Sequence, residues 1–149
     1  MDIKRKGGLK WMLAAVFGCF FATADAQVTE SLKAIGMENI RCVQTPGMTT
    51  VSFENNVYRS SCTGVGKAID ACLGSKTKGD LQLVVLENLI PKLCINLPDT
   101  LTEAYRNGEI SLIQVYRQMG ITADTDPAMK VLKNAGREEA PSAWKVDLV

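Results

Sequence analysis

The run "DLQLVVLENLIPKLCINLP", from Asp80 to Pro98, constrains the fold more than any other stretch beyond the N-terminus. Its apolar residues fall at both odd and even positions. Strands made from it must therefore be covered on two faces and lie inside a sheet. Glu87-Asn88 supplies a two-residue turn, which sets Leu86 opposite Leu89, Val85 opposite Ile90 and Leu81 opposite Cys94 in a central hairpin. Pro91 cannot donate a ladder bond, so its nitrogen must point away from any partner strand.

Weaker signals flank this run. "MENIRCVQT" alternates in the manner of a half-buried strand around Ile40 to Val43. After the break at "PGMT", "TTVSFENNVYRSS" reads as a hairpin, with Val51 and Phe53 on one face and Glu54 to Asn56 at the tip. "VTESLKAIG" is a short helix capped by Thr29 and ended by Gly36. "SCTGVGKAIDACLGS" is a longer one over Gly64 to Leu73, with Val65, Ile69, Cys72 and Leu73 at helical spacing. Its Gly64-x-Gly66 lacks both the third glycine of a dinucleotide fingerprint and the Lys-Ser/Thr of a phosphate loop, so small residues that let a helix pack closely explain it better. Past Pro98, Thr100-x-x-Glu103 forms a capping box for a helix ending near Gly108. "EISLIQVYRQMGI" fits helix and strand equally. "ADTDPAMKVLKNAG" is a helix with Asp126 as N-cap and Pro127 at its first position. Asp124 and Asp126 also resemble the start of a cation loop, but no further oxygen ligands follow in register.

These elements predict an α+β fold. An antiparallel sheet of two hairpins plus an N-terminal strand (Ile40 to Val43, Thr49 to Arg59, Leu81 to Leu97) is packed by the Gly64 to Leu73 helix and followed by a helical C-terminal segment. Residues 1–26 read as a signal peptide: Lys4, Arg5, Lys6 and Lys10 precede an apolar run from Trp11 to Ala22 and the cleavage sequence Ala24-Asp25-Ala26. The run is too short for a membrane span. A lipoprotein reading centred on Cys19 is opposed by the bulky Phe17, Phe20 and Phe21. Residues 27–136 form the expected domain and 137–149 a linker ending in a strand, Trp144 to Val149, that alternates and has no turn to bring back a partner.

Of 17 Lys and Arg and 16 Asp and Glu, four and two fall in the signal segment, which leaves thirteen against fourteen. Such a balance gives no basic field for nucleic acid or anionic lipid. Histidine is absent, which removes the commonest general base, any Ser-His or Cys-His nucleophile and the usual zinc ligands. No cofactor or metal is expected. Cys42, Cys62, Cys72 and Cys94 remain after export and permit two disulfides. A Cys62–Cys72 bridge is excluded, because about 15 Å of helix would separate its ends, against roughly 7 Å for a bridged pair. The other two connectivities stay open, as does the reading of four unbridged buried thiols.

Glu54 and Glu87 each precede an Asn between apolar runs, and two carboxylates about 5–10 Å apart would suit glycoside hydrolysis. Turn positions argue against it, since nothing at a solvated tip raises one acid's pKa. Tyr58 and Arg59, beside the first pair, are the residues to examine for a contact surface.

The segments "GMENIRCVQ", "VSFENNVYRSSCTGVGKAID", "LQLVVLENLIPKLCI", "ADTDPAMKVLK" and "SAWKVDLV" resemble the N-terminal soluble region of the YbjH-type exopolysaccharide biosynthesis proteins. The resemblance implies a non-enzymatic, exported module at the periplasm or outer-membrane periphery of a Gram-negative bacterium. Its partner class would be an outer-membrane export component or a polysaccharide. In that family a long β-rich portion follows the soluble region, and the family offers no active site to carry over. The alternatives are a secreted interaction or inhibitor protein and, weakest, a cell-envelope glycan hydrolase using Glu54 and Glu87.

Overall fold

The computed structural model of the chain describes residues 23–134. Ten elements follow in order: α1 (Ala24–Ala34), β1 (Glu38–Thr45), β2 (Met48–Glu54), α2 (Ser61–Leu73), β3 (Asp80–Glu87), β4 (Ile90–Leu97), α3 (Asp99–Arg106), α4 (Leu112–Gln118), β5 (Gly120–Thr122) and α5 (Asp126–Asn134). The class is α+β. The expected signal segment lies outside the described residues up to position 22, and α1 begins at Ala24. The expected terminal strand Trp144 to Val149 also lies outside them.

The five strands form one sheet in the order β1-β2-β3-β4-β5. It is mixed, which corrects the antiparallel expectation: β2 and β3 run parallel, from Met48 beside Asp80 to Glu54 beside Leu86. The cause is local. Residues past Glu54 do not turn back as a second hairpin arm but enter α2, and a helix returns the chain to the end of the sheet where β2 began. The hairpin in this region is β1–β2, closed at Pro46-Gly47, with Thr45 opposite Met48. The β3–β4 turn falls one residue later than the pattern suggests. Asn88 and Leu89 both adopt left-handed backbone (φ 52° and 65°), and the register shifts between Val85 and Leu86, so Leu81 faces Leu97 rather than Cys94.

Helices cover both faces, not one. Val51, Phe53, Leu81, Leu83, Ile95 and Leu97 pack with α1, α2, α3 and α4 in the main core, where Phe53 is fully buried. On the opposite face Val84, Leu86 and Cys94 lie under Ala128 and Leu132 of α5. Beside them on that face runs a polar row across three strands: Thr50 Oγ1 donates to Gln82 Oε1 (3.4 Å), and Gln82 Nε2 donates to Asn96 Oδ1 (3.0 Å).

Polar side chains lock the connections. Arg106, at the end of α3, donates from Nε to the Leu73 carbonyl (3.1 Å), from Nη1 to the Thr77 carbonyl (2.8 Å), and from Nη2 to the Ser75 carbonyl (2.6 Å) and Thr77 Oγ1 (2.8 Å). One guanidinium thus caps α2 and fixes the loop into β3, using the fork geometry that a lysine lacks. At the start of α3 the N-cap is Pro98, with no side-chain cap. Asp80 supplies it from β3, accepting the Asp99 N–H at 2.9 Å. In α4, Ser111 and Gln114 form the reciprocal capping box. At α5, Asp126 is the first helical residue rather than the expected N-cap, and Asp124, two residues earlier, accepts its N–H (3.2 Å).

Candidate functional site

Of the expected site residues, Glu54, Tyr58, Arg59 and Glu87 lie at one end of the sheet, at or past the carboxyl ends of the parallel pair β2 and β3. Strand ends of this kind are where α/β sheets commonly present ligand-contacting loops. Glu54 closes β2 there. It is not at an exposed hairpin tip, as its sequence context suggested, but is 5 % exposed. Its Oε2 accepts from Asn39 Nδ2 (2.6 Å) and its Oε1 from the backbone N–H of Asn88 (2.5 Å). The two Glu-Asn pairs therefore do meet, with the acid of the first holding the turn of the second.

Glu87 is placed differently. Its neighbour Leu86 shares the α5 face with Glu54, so alternation directs Glu87 to the other face. It is exposed and forms a surface ion pair with Lys92 (3.8 Å). Alternation thus sets the two side chains on opposite faces, and both oxygens of Glu54 are held by donors of the fold.

The loop after Glu54 is built by Asn55. Its Oδ1 accepts the Tyr58 N–H (2.9 Å) and its Nδ2 donates to the Tyr58 carbonyl (3.0 Å). Asn56 Nδ2 donates to Glu38 Oε2 (2.7 Å). Gly64, in the first turn of α2, gives the Asn55 side chain its room: a Cβ there would clash with the Asn55 amide. Tyr58 is half-buried and packs on the main core, whereas Arg59 is exposed. Of the two residues singled out by sequence, only Arg59 is exposed.

Three large apolar residues at this end are exposed as well: Val57 (59 %), Leu89 (66 %) and Ile90 (56 %). Leu89 is the notable one. Left-handed backbone costs a residue with a Cβ about 1–2 kcal/mol, and glycine or asparagine normally occupies it. Here a leucine occupies it without burial to offset the cost. Sequence reading missed Leu89 and Ile90 by assigning them to the interior of a hairpin arm. The signal that could have found them was Pro91, which disfavours tight pairing immediately after a turn.

The cysteines are dispersed. Cys72 is buried in α2, and burial pushes its thiol up to about 12. Cys94 is buried on the α5 face, with its pKa also raised by desolvation. Cys62 is exposed in the first turn of α2, and Cys42, on β1, donates to Asp25 Oδ1 at 3.7 Å. No disulfide joins any two of the described cysteines.

Clefts of about 330 Å³ lie elsewhere, one between α1 and Cys42 and another beside Lys76, Lys78 and Arg106. Among the described residues no group of three or more Cys, Asp or Glu is placed to hold a metal ion, and no helix is long and apolar enough to cross a membrane. Tyr105 donates to Asp70 Oδ1 (3.2 Å) and Tyr116 to the Gly66 carbonyl (3.3 Å), and desolvation raises both phenols. No family model, curated protein or solved structure matches this chain.

Proposed function

We propose that this chain is a non-enzymatic, exported module that works by contact in the cell envelope, in support of exopolysaccharide production at the periplasm or outer-membrane periphery. The contact surface is the sheet end that carries Val57, Arg59, Leu89 and Ile90. The observation behind this reading is Leu89, a large apolar side chain held in solvent on left-handed backbone. Strain of this kind is retained where a side chain must be displayed, and the buried Glu54 carboxylate fixes the turn that displays it. The partner is an outer-membrane export component or the polysaccharide itself. Supporting the non-enzymatic side, both Glu54 oxygens are already occupied by donors of the fold.

The test is complementation in the native host. Removing the gene should lower extracellular polysaccharide, wild-type protein should restore it, and a folded, exported Leu89→Ser/Ile90→Ser variant should not. Unchanged output on removal would overturn the exopolysaccharide assignment. Full restoration by the double variant would overturn the surface. Loss of output in a folded Glu54→Gln/Glu87→Gln variant would favour the hydrolase.

A further inference from the structure

Arg106 holds two charged walls at a fixed spacing. Its guanidinium belongs to α3, and its bonds to the carbonyls of Leu73, Ser75 and Thr77 tie the loop between α2 and β3 to that helix. Along this loop exposure alternates. Ser75 and Thr77 are buried, whereas Lys76 and Lys78 are exposed, so both lysines leave the loop on its outward side, about 6–7 Å apart along the chain. On α3, Asp99 and Glu103 stand one turn apart on a single face, about 6 Å along the axis. These four residues, with Thr77 and Arg106, line a cleft of about 330 Å³. Among the described residues no ion pair joins the two rows, and the hydrogen bonds at Lys76 and Asp99 are made by the backbone, which leaves the charged groups to the cleft.

We propose that this cleft binds a small zwitterion, a molecule that carries a carboxylate and a primary ammonium a few bonds apart. The basic wall receives the carboxylate. Of the five N–H donors of a guanidinium, Arg106 uses four on the loop, which leaves one Nη1 N–H uncommitted in the wall that carries Lys76 and Lys78. The acidic wall receives the ammonium, whose three donors meet the carboxylates of Asp99 and Glu103. Volume limits the ligand's size, since about 330 Å³ lies at the small end of ligand pockets, which run from roughly 300 to 1,000 Å³. A singly charged ligand would satisfy one wall and leave the other bare, so fit requires both charges. The competing arrangement is closure of the lysines on the acids, and exposed ion pairs are too weak to hold it shut. Because Arg106 fixes the backbone of both walls, a ligand meets rows already in place instead of having to order them.

This inference does not rest on the functional proposal. Its test is a heteronuclear NMR titration of the full chain, at fixed pH and salt, with glycine, γ-aminobutyrate and ε-aminocaproate, reading the amides of residues 75–79 and 99–103. At least one of the three should shift these amides saturably with a millimolar midpoint, and the tightest of them reports the separation of the two walls. Butyrate and butylammonium, each with one of the two charges, should bind at least about tenfold more weakly. Lys76→Ala/Lys78→Ala and, separately, Glu103→Gln should each raise the midpoint by about tenfold while the Val51 and Phe53 amides keep their wild-type positions. No saturable shift with any of the three up to about 50 mM would overturn the proposal. So would butyrate binding as tightly as its amino derivative, which would make the cleft a simple anion site, or midpoints unchanged in both variants.

Discussion

Replacing Glu54 separates a structural acid from a catalytic one. Its carboxylate is buried and accepts two hydrogen bonds, one from the Asn39 side chain and one from the Asn88 backbone. A hydrogen bond to a charged group contributes roughly 1.5–3 kcal/mol, and a buried donor left without a partner costs about as much again as a neutral bond gains. Glu54→Ala removes both acceptors, so a loss of about 3–5 kcal/mol is expected, a large share of the 5–15 kcal/mol typical of a domain. Glu54→Gln keeps the shape and one acceptor, and Asn39 can turn its amide over to meet the new donor. Only charge assistance is then lost, about 1–2 kcal/mol.

The assay is equilibrium urea unfolding. With a slope of about 2 kcal/mol per M, Glu54→Ala should lower the midpoint by roughly 2 M at unchanged slope. Asn39 requires care, because its φ of 51° means that alanine there would add backbone strain to the lost bond. Asn39→Gly removes the bond and keeps the conformation. A cycle of Asn39→Gly with Glu54→Ala should return a coupling of about 1–2 kcal/mol. A Glu54→Ala midpoint within roughly 0.25 M of wild type, or strict additivity in the cycle, would refute the structural role.

Three further outcomes follow from the same geometry. Arg106→Lys keeps the charge but not the fork, so it should cost about 2–3 kcal/mol in the same assay. Gly64→Ala should cost about 1–3 kcal/mol by driving Asn55 out of its turn, and Asn55→Ala should relieve part of that clash. Because burial raises the Cys72 thiol from 9.0 to about 12, the unfolded chain releases that proton first as pH rises. Stability is then fully present below pH 9 and should fall by about 1.4 kcal/mol per pH unit above it. Cys94 and the two raised tyrosines act with the same sign. Cys72→Ala should flatten the slope between pH 9 and 10, as read by urea midpoints.

The sheet's connectivity was harder to read than its parts. Val51, Phe53 and the Leu81 to Leu97 run announce strands because their apolar spacing is local, and the α2 helix is announced by Val65, Ile69 and Leu73. Parallel pairing of β2 with β3 is not local. It depends on Asn55 forming a closed turn with Tyr58, a conformation that leads into a helix, where the same Glu-Asn-Asn letters suit a hairpin tip equally well. β5 was hidden for a different reason: three residues are too few to show a period, and Gly120 to Thr122 become a strand only because Asn96 to Cys94 offers a free ladder.

The candidate site was half visible for the same cause. Glu54, Tyr58 and Arg59 drew notice by their residue types, but type does not decide between display and burial. Asn39 and Asn88 decide it for Glu54, by supplying donors from fifteen and thirty-four residues away. The core decides it for Tyr58. Leu89 drew no notice because a leucine in a long apolar run is ordinarily interior, and only the left-handed turn reverses that expectation. This turn also yields a sign that separates display from folding. Leu89→Gly relieves the backbone strain and should raise stability by about 0.5–1 kcal/mol, while removing the displayed side chain. A variant that is more stable yet fails to restore polysaccharide output would place Leu89 at a contact. One that is less stable would mean that the side chain packs against the fold after all.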